Sequence, residues 1–376
     1  MDFSNIFIEC FSEIEDPRVE RTKKHLLLDV IGIALFATIA GAQSFDEIED
    51  FADLHEEWLS QYFILPNGIP SEDTFYRVIS RLSPKPFEKA FLNWISAIRK
   101  LLPENIIPID GKTIRGSHRR NSKLKALHIV SAWSCANQMS LGQIKVDDKS
   151  NEITAIPELL QQLALEGAII TIDAIACQKN IAKQIKESKA EFVLAVKGNQ
   201  PELFTGIIEG FEHAHTHKSA HEHMVEVNDE IIADHGRIES RICRVLPNKY
   251  CGEVRHDWPE VNSIIQLEYN YETPTEKKQT ERRYFISSLT PESAKEILKA
   301  IRCHWQIEST CHWTLDVTFQ EDQSRIHDEN AGLNMAWLRK VALSFLKKDL
   351  TKRKSIRRKQ MRAWAEPEYI LELFKN

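Results

Sequence analysis

Three short apolar runs constrain this 376-residue chain more than any other feature: NIIPIDG (105–111), GAIITIDAI (167–175) and EFVLAVKG (191–198). Helical patterns at about 152–165 and 178–189 separate the second and third from what precedes them. Solidly apolar strands joined by helices belong at the buried centre of a sheet. Two further runs, ALHIVSAWS and MSLGQIKV, flank SAWSCANQMS and read as a hairpin between the first and second apolar strands. The order of three strands, helix, strand, helix, strand predicts a mixed α/β layer.

The chain on either side has other periods. Residues 1–102 read as helical. The run LLLDVIGIALFATIA, Leu26 to Ala40, is shorter than a membrane span and contains Asp29, so a buried helix is expected there. Ser71 is the expected N-cap of a helix opening with Glu72 and Asp73, and PKPFEKAFLNWISAIRKLL forms another, closed by Pro103. Residues 201–289 are more polar and alternate as strands do, with Arg237, Glu239 and Arg241 on one charged face. They read as an inserted antiparallel region. Helix resumes at Thr290 and Pro291 and continues through CHWQIESTCHWTLDV. The expected divisions are therefore 1–102, 103–200, 201–289, 290–346 and a basic helical tail, 347–376.

Net charge is −6, which argues against indiscriminate nucleic-acid coating, but the charge is unevenly spread. Residues 1–60 hold 14 acids against 4 Lys/Arg; residues 337–362 hold 11 Lys/Arg against Asp349 alone. A second basic patch is Lys112, Arg115, Arg119, Arg120, Lys123 and Lys125. Two such patches in an acidic chain point to a local polyanion site. Seven scattered cysteines without a C-x-x-C pair suit a reducing cytosol, and the acidic start lacks the basic region of a signal peptide.

DGKT, at 110–113, invites a nucleotide phosphate loop, but that loop needs a glycine where Ile106 stands. No nucleotide cofactor is expected. The other reading of Asp110 is a metal ligand, with Gly111 permitting a tight turn. Asp173 ends another buried strand, and paired carboxylates in apolar surroundings need protons, hydrogen bonds or a cation. Hard divalent cations take such oxygens and can clamp a phosphoryl group. Glu308, on a helix rich in apolar and aromatic residues, is the candidate third ligand; Asp316, Glu321 and Asp322 are its rivals. Zinc is disfavoured. The Cys303–His304 and Cys311–His312 pairs stand eight residues apart, about 12 Å along one helix. The histidines of EHAHTHKSAHEH (212–223) look like a loop without cysteine, and Trp305 and Trp313 are expected to pack the core.

PIDGKTIRGS, TIDAIACQKNIA, FVLAVKGNQP, DHGRIESR, ERRYFISSL and the long block RCHWQIESTCHWTLDVTFQEDQSRIHDENAGLNMAWLR together resemble bacterial DDE-type insertion-sequence transposases, in particular the H-repeat-associated group. The resemblance covers most of the chain. It implies an RNase H-like mixed-sheet core, interrupted by a β-rich insertion, with a helical N-terminal domain and a basic helical C-terminus. It also implies a metal-binding triad of Asp110, Asp173 and Glu308 holding two Mg²⁺ ions, with Mn²⁺ as a substitute. Phosphate contacts are expected from Lys112, Arg115, Lys197, Arg237, Arg241 and Arg302. The implied activity is DNA cleavage and strand transfer at element ends, by a homodimer in the cytoplasm at the nucleoid and not on a membrane. An inactive DNA-binding remnant and a nuclease without strand transfer are the alternatives. Hairpin-forming relatives carry Tyr-x2-Arg-x3-Glu-x6-Lys around the glutamate; here those places hold Ile301, His304 and Leu315, with Arg302 and His312 nearby.

Overall fold

The structure, a computed structural model, describes the chain except residues 1–2, 99–100, 104–105, 119–124, 148–149, 230–231, 235–236, 273–278, 350–353 and 376. Helices α1 (Phe3–Phe11), α2 (Leu27–Ala40), α3 (Phe45–Leu54), α4 (Glu56–Leu59), α5 (Glu72–Ile79) and α6 (Pro84–Ile98) come first. Strands β1 (Ile106–Ile114), β2 (Leu127–Ser134) and β3 (Met139–Lys145) precede α7 (Glu152–Gln162), β4 (Ile169–Ile172), α8 (Lys179–Glu187) and β5 (Glu191–Val196). Next are α9 (Pro201–Thr216), α10 (Lys218–His221), β6 (Val225–Asn228), β7 (Ile232–Asp234), β8 (Arg237–Pro247), β9 (Ser263–Glu272) and β10 (Gln279–Ser287). Helix α11 (Ala294–Gln306) runs into a π-helical segment, Ile307–His312, and then α12 (Trp313–Val317). Helices α13 (Glu329–Lys348), α14 (Ile356–Ala365) and α15 (Glu368–Lys375) follow. The chain divides into two compact units: residues 1–103, 111–149 and 308–376, and residues 104–110 with 150–307.

The first unit is built around α2 and α13, whose residues are almost all buried. Asp29 is tolerated inside α2 because its carboxylate accepts the Leu65 amide at 3.0 Å, where the backbone turns through a left-handed residue. Phe36, Trp94, Phe345 and Phe374 meet edge to face or tilted, with centroids 4.8–5.7 Å apart. Phe374 lies on α15, so the C-terminal segment closes this core and is no detached tail. Its basic character is also partly internal. Arg339, Lys340 and Lys359 are buried. Lys359 donates to the carbonyls of Leu346 and Asp349 at 2.7 and 2.6 Å, satisfying acceptors at the C-terminus of α13. Ser71 stands at the start of α5 but gives no side-chain cap; its hydroxyl faces that of Thr74.

In the second unit β1, β4 and β5 run parallel, in register from Ile106↔Ile169 and Ile169↔Glu191. Strand β10 pairs antiparallel with β5, and β9, β8 and β6 extend the sheet beyond it, with β7 on β8. The strands of 201–289 are therefore a continuation of the sheet, because β5 would otherwise present an unpaired edge. That stretch also opens with two helices. Gly206 and Gly210 let α9 press onto the chain at 250–251, where an added Cβ would meet the Cys251 and Tyr250 carbonyls at 2.8 and 2.5 Å. The histidine-rich stretch expected as a loop is instead the end of α9 and α10, with His213 and His217 stacked 4.0 Å apart. Strand β1 likewise runs on to Ile114, so no turn forms at Gly111 and Asp110 lies in mid-strand. Among the described residues no single helix is long and apolar enough to cross a membrane.

Candidate active site

The last paired residues of β1 and β4 are Ile109 and Ile172. Asp110 and Asp173 each follow directly on one of these residues, and strand alternation gives both the face opposite Ile109 and Ile172. That face carries Thr171, whose Oγ1 lies 3.0 Å from Nδ1 of His304 on α11. Both aspartates are half-buried. Asp173 ends its strand by accepting its neighbour's amide, Ala174, at 2.6 Å, and Lys197 stands at the end of β5 with Nζ 3.6 Å from the same carboxyl oxygen. Asn199 donates to the Ala174 carbonyl at 2.6 Å and holds the turn. Carboxylates that follow two paired strands, one of them drawing a cation, suit a divalent ion, and Mg²⁺ is commonly held by one or two carboxylates completed by phosphate oxygens and water. Among the described residues no three His, Cys, Asp or Glu side chains gather as a ready-made metal cage. The fit thus rests on the aspartate pair.

Glu308 is exposed and lies in the π-helical segment, four residues beyond His304. Wide helical turns of this kind recur at functional sites. Ile307, Cys311 and Leu315 are buried and anchor the run. Burial pushes the Cys311 thiol up to about 12. Trp305 and Trp313, expected inside, are 45% and 59% exposed; Arg283 lies 4.4 Å over the Trp305 ring.

Lys112 departs from its expected place. Its side chain is 10% exposed and its ammonium sits 2.6 Å from Asp316, 3.0 Å from Glu321 and 3.3 Å from Asp322. Burial would lower its pKa, but Glu321 and Asp316 outweigh that and raise it. Burial likewise pushes the Glu321 carboxyl up, and Lys112, Arg339 and Lys340 more than offset it, leaving it below the ordinary range. The three rivals of Glu308 are thus already committed to a lysine. Arg115 is 85% exposed, with Nε 3.4 Å from Asp322. Arg302 and Arg241 both approach Asp229, at 2.8 and 3.6 Å, and Arg241 also reaches Glu239 at 2.9 Å. The side chain of Arg237, and Arg119, Arg120 and Lys123, lie outside the described residues.

Residues 102–345 match the family described as Transposase DDE domain, and residues 8–95 match DDE_Tnp_1-associated. YncI of Escherichia coli O157:H7, named as a transposase, is 39% identical over 98% of this chain and 94% of its own length. YhhI of Escherichia coli strain K12, named as an H repeat-associated transposase, is 35% identical over 96% of each. A cryo-EM structure of a piggyBac transposase synaptic complex with hairpin DNA covers 96% of this chain and 79% of that one, at 14% identity and a TM-score of 0.40.

Proposed function

The chain belongs to the transposase DDE-domain family, and from that premise we propose that it cleaves DNA at the ends of an insertion sequence and joins the freed 3′-hydroxyl to target DNA. The observation that carries this reading is the position of Asp110 and Asp173, each directly after one member of the last β1–β4 pair, Ile109↔Ile172. Strand β1 has β2 and β4 as its neighbours, with β2–β3 an antiparallel hairpin; this order supports an RNase H-like core. Asp110, Asp173 and Glu308 are the proposed ligands of two Mg²⁺ ions, replaceable by Mn²⁺. Bound there, the ions would supply Lewis acidity to the attacking and leaving oxygens.

The chain's own groups do the rest. Asp110 lies within β1 and Asp173 directly after β4, a placement on regular backbone that suits chemistry dependent on positioning and charge. Lys197 neutralises Asp173 in the free protein and turns to a phosphate when DNA arrives. Arg115 and, on α14, Arg357 and Arg358 are exposed and give a salt-dependent grip on the duplex. Arg241, Arg302 and Arg237 are proposed to line the same path. Two copies would hold the two element ends.

The test incubates protein with labelled element ends, target plasmid and Mg²⁺, beside Asp110→Ala. Joining by wild type and its loss by at least about a hundredfold in the variant are expected. Cleavage without joining would leave a nuclease, and binding without either an inactive remnant. Glu308→Gln is expected to abolish activity; retained activity there, with loss in Asp316→Asn, would move the third ligand to Asp316.

A further inference from the structure

The stretch after Asp110, GKTIRGS, is neither a phosphate loop nor a free basic patch in this fold. Its cations and its turn are fastened to residues 316–327. Lys112 has three N–H donors and three carboxylate partners on Asp316, Glu321 and Asp322, so none of its donors is left for a phosphate. The Arg115 amide donates to Asp322 at 3.4 Å. Gly116 lies so close under the next turn that an added Cβ would meet the Ser324 and Asp322 carbonyls at 2.6 and 2.8 Å. His327 Nδ1 donates to the Ser117 carbonyl at 3.0 Å. Glu321 is 1% exposed and would be an uncompensated buried charge without the lysine.

These contacts join the far half of β1 to the chain that follows α12. Asp110 is two residues before Lys112 on the same strand, and Glu308 is eight residues before Asp316 on the same helical run. We propose that Lys112 is a positioning residue. It ties the part of β1 that follows Asp110 to the run that follows Glu308, so that removing it weakens divalent-cation binding while leaving the attraction for the DNA backbone unchanged. This rests on the assignment of Asp110 and Glu308 as metal ligands. A lysine acting on phosphate would behave in the opposite way. Its loss would spare the cation and reduce the salt dependence of DNA binding by about one counterion.

The full-length protein is titrated with Mn²⁺ and followed by electron paramagnetic resonance, without DNA. Duplex binding is measured separately across a range of salt. Lys112→Met is expected to weaken Mn²⁺ binding by about tenfold or more, with the salt slope of DNA binding as in wild type. Lys112→Arg keeps a charged donor in place and is expected to recover most of the affinity. Because Lys112→Met strands a buried glutamate, Lys112→Met with Glu321→Gln is titrated too, and circular dichroism checks that it is folded. A folded double variant that binds Mn²⁺ as wild type does overturns the proposal, as does a salt slope reduced by about one with Mn²⁺ binding intact. Asp110→Ala separates the two levels. If it abolishes Mn²⁺ binding and the lysine variants do not, only the positioning role falls. If wild type binds no Mn²⁺, the metal assignment falls and takes this role with it.

Discussion

Glu88 on α6 accepts the Gln143 amide at 3.0 Å, and Lys340 nearby donates to Ser131 and to the Gln143 side chain, both at 2.7 Å. Burial lifts the Glu88 carboxyl to about 7 despite these favourable neighbours. The fold therefore prefers the protonated form. Relative to an unfolded value near 4.5, this group's contribution is most favourable at low pH and declines as pH rises to about 7, after which it is constant. Glu88→Gln should leave stability nearly unchanged at pH 4.5 and raise it by about 1–3 kcal/mol at pH 8. Parallel denaturation curves at both values would sink that expectation. Residue chemistry was legible only in part. The types and strand contexts of Asp110 and Asp173 drew attention to both, whereas nothing near Lys112 in the sequence announces three carboxylates some two hundred residues away.

Elements were read best where their periodicity was simplest. The buried strands β4 and β5, the β2–β3 hairpin and the helices α2 and α6 fall where the apolar patterns put them. Strand β1 outruns its apolar stretch because DGKTI goes on pairing in the sheet, and backbone pairing does not need apolar side chains. The N-terminal part of 201–289 was misread although α9 buries Leu203, Ile207, Phe211 and Ala214 at helical spacing, because two interior glycines and a run of histidines interrupt that pattern. Gly116 shows how an element junction depends on one residue: at 2.6 Å from a carbonyl, a methyl group forces the 115–117 and 321–324 turns apart. Gly116→Ala is expected to cost the first unit about 1–3 kcal/mol in urea denaturation. A change within about 0.5 kcal/mol would show that the two turns separate freely.

At the scale of the molecule, the C-terminal segment reads in sequence as a basic helical tail, yet α14 and α15 complete the helical core of the first unit. Phe374 is 7% exposed among Phe36, Trp94 and Phe345. Deleting residues 354–376 should therefore cost more than the roughly 3–5 kcal/mol typical of a single buried Phe→Ala change, seen as a large fall in Tm. A truncated protein that melts with wild type would restore the tail. Local pattern was enough for the α/β layering, the buried helices and an aspartate at the end of each of two apolar runs, because apolar periodicity and an acid at the end of an apolar run are local properties. The sequence also carried enough ordered motifs to indicate the family. Only the tertiary structure decided which charges face water and which are spent on each other. Lys112, Lys340 and Lys359 read alike as basic residues in a chain, but a buried carboxylate, a hydroxyl–amide pair and the carbonyls of a helix end claim them once the fold brings distant segments together.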